Sequence, residues 1–269
     1  MHHNVRGLLL SCFQTPNPVL TLTPNPIVRT GFFIQIDSPP QSQYHRRMEQ
    51  KVIRNLQSHY IRPHSEDRYP DSVVISLHGY GADGKDLISL GQEWAPHCPN
   101  TLFISPDAPH PCEVSPLGRQ WFSLEPFSHE IMAERVAETW LIVSDYIDAV
   151  ADEFSISSQN IVLVGFSQGT MMALQTALCR EKPVAGVLGY SGMLLNEELA
   201  ETTKNKDTLI QLIHGAMDAI IPVSEWFKAM DIFKNNGFKI TGYTSKKLPH
   251  GIDANGVESG LFFIKEVLK

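Results

Sequence analysis

Short apolar runs alternate with helix-like segments along the chain from residue 71 onward. The apolar runs are continuous, and they lack the strict apolar–polar alternation of a half-exposed strand. Continuous runs are typical of parallel strands that are buried on both faces of a sheet. The predicted strands cover residues 72–77, 101–105, 160–165, 184–190, 208–214 and 239–246.

The predicted helices lie between these strands and after the last of them. They cover residues 85–94, 130–154, 168–180, 223–235 and 257–268. The pair Asn236-Gly237 follows the fourth helix, and a glycine just past the last turn is a common helix stop. Strands that alternate with helices indicate βαβ units, so the order predicts an α/β fold with a mostly parallel central sheet and helices on both faces.

Two segments do not follow this alternation. Residues 1–36 contain no Asp or Glu and carry several prolines. We predict that residues 1–47 are an extension, either disordered or produced by a start codon assigned upstream of Met48. The apolar run at residues 8–12 makes export or organelle targeting the alternative. Residues 48–269 are predicted to form a single domain, in which the proline-rich segment 106–127 is a long loop of the kind that is more often functional than idle.

Composition excludes several classes of protein. The 269 residues carry a net charge of −7, which argues against a nucleic-acid partner because phosphate binding needs a basic face. No apolar run approaches the roughly 20 residues of a membrane-spanning helix. The cysteines are too scattered for a disulfide framework and form no C-x-x-C pair. We therefore expect a cytoplasmic protein with reduced thiols, no stable membrane insertion and no metal site. The cysteines are Cys12, Cys98, Cys112 and Cys179.

The strongest chemical signal is the pentapeptide G-x-S-x-G at residues 165–169, with Ser167 at its centre. A buried-strand pattern precedes it directly, and a helix start follows it. A strand, a tight turn and a helix in this order form the nucleophile elbow of the α/β-hydrolase fold, in which the serine hydroxyl stands above the sheet. The alternative is an ordinary βα turn that contains a serine. Ser191 also follows a strand, but the second glycine of the motif is missing there, so a structural turn is predicted.

A serine nucleophile needs a base, and the base needs a carboxylate that fixes its tautomer. In α/β hydrolases these follow the serine in the order acid, then histidine. Of the two histidines after Ser167, His214 precedes the plausible acid, which leaves His250 as the predicted base. Asp218 lies just after a predicted strand, at the edge where α/β active sites form, and is the predicted acid. Asp253 is the second choice.

Acyl transfer also needs two backbone N–H groups that face the developing oxyanion. Gln168, the residue after the nucleophile, is one predicted donor. Tyr80, in the glycine-containing loop after the first predicted strand, is the other. Trp121 and Phe122, in the long loop, are candidates for substrate binding around an acyl chain, and they could equally be core aromatics.

Five motifs together resemble the phospholipase/carboxylesterase family, which includes acyl-protein thioesterases and small bacterial carboxylesterases. In the family's order they are residues 77–84, 118–122, 165–169, 214–218 and 249–251. The resemblance implies an esterase or thioesterase without a cofactor, with Ser167, Asp218 and His250 as the triad and the amides of Tyr80 and Gln168 as the oxyanion hole. The Arg-Gln-Trp-Phe motif at 119–122 is more similar to the bacterial carboxylesterase branch.

The predicted function is hydrolysis of short- to medium-chain acyl esters, lysophospholipids or acyl thioesters through an acyl-enzyme on Ser167. The expected binding partner is then a small-molecule ester or thioester substrate. Many relatives dimerise, so a homodimer is possible for this chain as well. One alternative is a catalytically silent hydrolase scaffold that serves for binding, because a fold alone does not guarantee activity. A dienelactone-hydrolase-like enzyme is another, although those use cysteine at the elbow.

Overall fold

The computed structural model describes residues 48–63 and 69–269, so the predicted extension at residues 1–47 lies outside the described residues. An eight-stranded sheet forms the centre, in the order β1-β2-β4-β3-β7-β8-β9-β10. Neighbouring strands from β4 to β10 pair in parallel, whereas β1–β2 and β2–β4 pair antiparallel. The strands are β1 (Glu49–Ile53), β2 (Leu56–Ile61), β3 (Ser72–Leu77), β4 (Thr101–Pro106), β5 (His110–Pro111), β6 (Arg119–Gln120), β7 (Ile161–Phe166), β8 (Gly186–Tyr190), β9 (Leu209–Gly215) and β10 (Ile240–Ser245).

Six α-helices of the described residues pack around the sheet. They are α1 (Gly84–Trp94), α2 (His129–Phe154), α3 (Gln168–Cys179), α4 (Glu198–Thr202), α5 (Val223–Asn235) and α6 (Ala254–Val267). None of the helices in the described ranges is both long and apolar enough to cross a membrane.

Two hydrophobic clusters, one on each face of the sheet, account for the continuous apolar runs. In β3, Val73 and Ile75 belong to the cluster that includes residues of α2, α3 and α5. Val74 between them belongs to the cluster that includes residues of α1 and α6. Every residue of β3, β7 and β8 is buried, because both faces of a parallel sheet are covered by helices. This architecture confirms the predicted α/β fold.

Three features of the fold were missed by the sequence prediction. The hairpin β1–β2 turns at Arg54 and Asn55, which both have positive φ, at 49° and 66°. Helix α4 is a short α-helix of five residues between β8 and β9. Inside the predicted loop 106–127, β5 and β6 form a two-stranded antiparallel sheet with two residues in each strand.

Candidate active site

Ser167 occupies a strained turn between β7 and α3, with φ 53° and ψ −116°. Most residues avoid this region of backbone space, and such strain is concentrated at functional sites. The flanking glycines allow the turn to pack tightly. A Cβ on residue 165 would lie 2.5 Å from the backbone nitrogen of Thr170, and one on residue 169 would lie 1.8 Å from the carbonyl oxygen of Leu77. Ser167 therefore lies at the amino end of α3, whose free N–H groups favour negative charge.

Asp218 and His250 form a hydrogen-bonded pair beside this turn. His250 Nδ1 lies 2.8 Å from Asp218 Oδ2, and the Asp218 side chain is fully buried. A carboxylate can only accept, so Nδ1 donates, and Nε2 of a neutral imidazole is left free to take a proton. The His250 ring lies over the ring of Phe166, the residue before the predicted nucleophile, with 4.9 Å between the ring centroids.

The Asp218 carboxylate is oriented by its own turn. Its Oδ1 atom accepts hydrogen bonds from the backbone N–H groups of Ile220 and Ile221, both at 2.9 Å. Its Oδ2 atom is left for the imidazole of His250. The turn therefore holds the carboxylate with one oxygen toward the imidazole.

The loop that carries His250 is attached to the ends of two strands. The N–H of Met217 donates to the carbonyl of Leu248 at 3.0 Å. The Ser191 hydroxyl donates to the carbonyl of Gly251 at 3.1 Å. Ser191, predicted to be a structural turn residue, thus helps to hold the histidine loop. Asp253, the second choice for the acid, accepts from the N–H of Gly256 and caps α6.

The loop after β3 is held by His78, whose role the sequence did not reveal. Its ring is buried, Nδ1–H donates to the carbonyl of Gly79 at 2.8 Å, and Nε2 accepts from the N–H of Ala108 at 2.9 Å. Burial lowers the pKa of His78, so the imidazole is neutral and the two bonds select one tautomer. The indole N–H of Trp121 donates to the His78 carbonyl at 3.0 Å.

Backbone bonds fix the chain just after Tyr80, the predicted oxyanion donor. The N–H of Gly81 donates to the carbonyl of Arg119 at 2.9 Å, and that of Arg119 donates to the carbonyl of Ala82 at 2.8 Å. The Tyr80 hydroxyl donates to the Glu113 carboxylate at 2.9 Å. Donors that are held in place before the reaction cost no reorganisation when the oxyanion forms.

Gln168 contributes more than a backbone amide. Its side-chain oxygen accepts from the N–H of Trp121 at 3.0 Å, and its amide nitrogen donates to the carbonyl of Phe122 at 2.8 Å. These two hydrogen bonds to the backbone of residues 121 and 122, together named the Gln168 clamp, join the nucleophile elbow to the long loop. The side chains of Trp121 and Phe122 are themselves buried in the core. These positions agree with the core alternative, and a contact of either ring with substrate stays a prediction.

In the described part of the chain, no group of three or more His, Cys, Asp or Glu residues could hold a metal ion. The arrangement offers three kinds of group for chemistry: a serine in a strained turn, an imidazole with a fixed tautomer, and backbone amides that are held in place. Together these are the parts of a nucleophilic acyl-transfer site.

A family model described as Phospholipase/Carboxylesterase matches residues 60–268. The chain belongs to this family. The resemblance that the five motifs indicated is thereby confirmed. Among the curated relatives of this chain, the esterase YpfH of Escherichia coli is 26% identical over 200 residues, which cover 73% of this chain and 83% of the relative. Acyl-protein thioesterase 1 of Kluyveromyces lactis is 25% identical over 225 residues, which cover 78% and 97%.

Solved structures agree with this family membership. The crystal structure of esterase PE8 is 31% identical to the chain, with a TM-score of 0.73, and the match covers 78% of this chain and 97% of that one. The crystal structure of TT1662 from Thermus thermophilus has a TM-score of 0.67 at 16% identity, a likeness of fold alone. The family and the parallel sheet together identify the fold as that of an α/β hydrolase.

Proposed function

We propose that this family member is a serine hydrolase that cleaves small acyl esters or thioesters, with Ser167 as nucleophile, His250 as base and Asp218 as acid. The family, together with the esterases and thioesterase among its relatives, makes the chain a carboxylic ester hydrolase. The assignment of roles rests on one observation above all. The imidazole of His250 is hydrogen-bonded to a fully buried carboxylate and lies against the residue before a strained serine.

The reaction has two halves. In the first, Ser167 Oγ attacks the acyl carbonyl carbon while His250 Nε2 takes the hydroxyl proton, and the carbonyl oxygen becomes an oxyanion at the N–H groups of Tyr80 and Gln168. The intermediate then collapses, the bond to the leaving alcohol or thiol breaks, and His250 returns the proton to the leaving group. The acyl group remains as an ester on Ser167.

In the second half, water attacks the acyl-enzyme. His250 takes a proton from the water molecule, the same amides stabilise the second oxyanion, and the acyl–Ser167 bond breaks. His250 gives the proton back to Ser167 Oγ, and a carboxylic acid leaves. Asp218 stabilises the imidazolium in both halves without itself being protonated.

The proposed substrates are short- to medium-chain acyl esters, with lysophospholipids and acyl thioesters as further members of the same chemical class. This range is supported by the similarity of the 119–122 motif to bacterial carboxylesterases and by the likeness to two esterases. Four further expectations stay predictions: a cytoplasmic location, the absence of a nucleic-acid partner, a possible homodimer, and a single domain at residues 48–269.

The test is hydrolysis of p-nitrophenyl esters from acetate to palmitate, with a palmitoyl thioester in parallel. Ser167→Ala should lower kcat by about 10⁴-fold or more on every substrate, because the nucleophile is lost. Ser259→Ala, the same substitution on α6, is the control and should keep wild-type rates. Turnover by Ser167→Ala would refute the assignment, and no turnover by the wild type would favour a binding scaffold. The chain-length optimum then separates a carboxylesterase from a thioesterase.

A further inference from the structure

His214, at the end of β9, lies next to the Asp218 carboxylate. The order of residues along the chain excludes it as the base, and nothing in the proposed mechanism uses it. Its side chain is buried, and its Nε2 atom lies 2.9 Å from the carbonyl oxygen of Ile221 and 3.4 Å from Asp218 Oδ2. Two imidazoles, those of His214 and His250, therefore lie near Oδ2 of the acid of the proposed triad.

The tautomer of His214 follows from its partner. A carbonyl oxygen can only accept, so Nε2 carries the hydrogen that it donates to Ile221. Burial lowers the pKa of His214, despite the opposing effects of the Ile221 hydrogen bond and the charge of Asp218. His214 is therefore a neutral donor at neutral pH, whereas a cation at this position would compete with His250 for the negative charge of Asp218.

Ile221 is held from two directions. Its N–H donates to Asp218 Oδ1 at 2.9 Å, and its carbonyl accepts from His214 at 2.9 Å. The turn 218–221 is thus closed on one side by the carboxylate and on the other by an imidazole that belongs to the rigid end of a central-sheet strand. Without the second bond, the turn keeps its internal hydrogen bonds and the bond from the Asp218 N–H to the Gly215 carbonyl at 3.2 Å. It loses the only bond that attaches its far end, at Ile221, to a side chain of β9 among the described residues.

We propose that His214 is a positioning residue, which fastens the turn 218–221 to the end of β9 and so directs Asp218 Oδ2 toward His250. This inference rests on the proposed function, because it acts through the triad. A displacement of a catalytic group by about 1 Å can cost roughly 100-fold in rate. The bond from His214 prevents such a displacement in the one carboxylate that sets the orientation of the base.

The experiment compares His214→Leu with His214→Gln. Leucine removes the N–H donor, and we expect kcat to fall about 10- to 100-fold with KM within a factor of about 2. The amide nitrogen of glutamine can reach the place of Nε2, so His214→Gln should recover kcat to within about threefold of wild type. Active sites are counted by end-point labelling with a fluorophosphonate, so that unfolded protein does not lower the measured kcat.

A double-mutant cycle separates positioning from a merely structural role. If His214 acts through Asp218, His214→Leu should cost less than about threefold in kcat when Asp218→Asn is already present. An equal loss in both backgrounds would overturn the inference, as would a wild-type kcat for labelled His214→Leu. If the fluorophosphonate does not label the wild type at Ser167, the proposed function fails instead. The two failures are therefore distinguishable.

Discussion

Asp218 and Asp253 carry the same carboxyl group, but their surroundings give it different tasks. Asp218 accepts from two backbone N–H groups with one oxygen and from His250 with the other. Asp253 accepts from the N–H of Gly256 at the start of α6 and from the hydroxyl of Ser245. The first arrangement orients an imidazole, whereas the second begins a helix.

Asparagine at each position separates these tasks. Asp218→Asn should lower kcat by about 10³- to 10⁴-fold, because a neutral amide favours the wrong imidazole tautomer and cannot balance an imidazolium. Asp253→Asn should change kcat by less than about threefold and stability by less than about 0.5 kcal/mol, since asparagine is as good an N-cap as aspartate. Steady-state hydrolysis of p-nitrophenyl acetate and urea denaturation measure both. A similar loss of kcat in the two variants would argue for Asp253 as the acid.

For single residues, the sequence predicted the candidate catalytic side chains better than the hydrogen bonds that hold the surrounding loops in place. Ser167 could be proposed from its flanking pattern, and His250 by elimination among two downstream histidines. The supporting bonds of His78 reach Ala108, thirty positions away, and those of Gln168 reach residues 121 and 122. Such contacts join loops that are distant in the chain, and no local pattern in a single sequence records them.

Among the elements, the connection between α3 and the long loop depends on the Gln168 clamp. The clamp satisfies a buried N–H and a buried carbonyl of the 121–122 backbone. The same loop segment holds the His78 carbonyl through the Trp121 indole. The two sides of the predicted oxyanion hole, at Tyr80 and at Gln168, are therefore joined through one piece of backbone.

Gln168→Met tests this connection, because methionine keeps the length of the side chain and removes both hydrogen bonds. We expect a loss of about 2–4 kcal/mol in the free energy of unfolding, from two buried groups left unpaired, and a fall in kcat of about tenfold. Gln175→Met on the same helix also removes a partly buried bond, from Asn196, and should lower stability without lowering kcat. Urea denaturation and ester hydrolysis report the two effects. An unchanged kcat in Gln168→Met would disprove the connection.

The sequence prediction missed strand β2 for a physical reason. Strand β2 reads Leu-Gln-Ser-His-Tyr-Ile, in which Ser58 and His59 are buried. The Ser58 hydroxyl shares a hydrogen bond with the Tyr146 hydroxyl, and His59 Nε2 lies 3.3 Å from the Asp107 carboxylate. Because polar side chains occupy these buried positions, the strand shows neither a continuous apolar run nor an alternation. Strands β3, β7 and β8 are buried and wholly or largely apolar, and their positions were predicted to within two residues.

For the whole molecule, two buried neutral histidines make stability depend on pH. Burial lowers the pKa of His78 and of His214 below the ordinary value of 6.5. As the pH falls below 6.5, the unfolded chain binds protons at these rings before the folded chain does. The free energy of unfolding therefore decreases on acidification, by up to about 1.4 kcal/mol per histidine for each pH unit between the two pKa values.

Urea denaturation between about pH 5 and pH 8 measures this dependence. The wild type should lose stability below pH 6.5 and show little contribution from these two rings above it. His214→Gln should lose less stability on acidification, because one titrating ring is gone. His97→Gln, at an exposed site, is the control and should keep the wild-type slope. An unaltered slope in His214→Gln would show that the ring titrates alike in the folded and unfolded chains.

The order of strands has a consequence for how activity appears during refolding. Ser167 follows β7 near the middle of the sheet, whereas Asp218 and His250 follow β9 and β10, the last two strands at one edge. A chain with only the β3–β7–β8 centre assembled would hold its serine without a base. Recovery of ester hydrolysis would then report the docking of the edge strands.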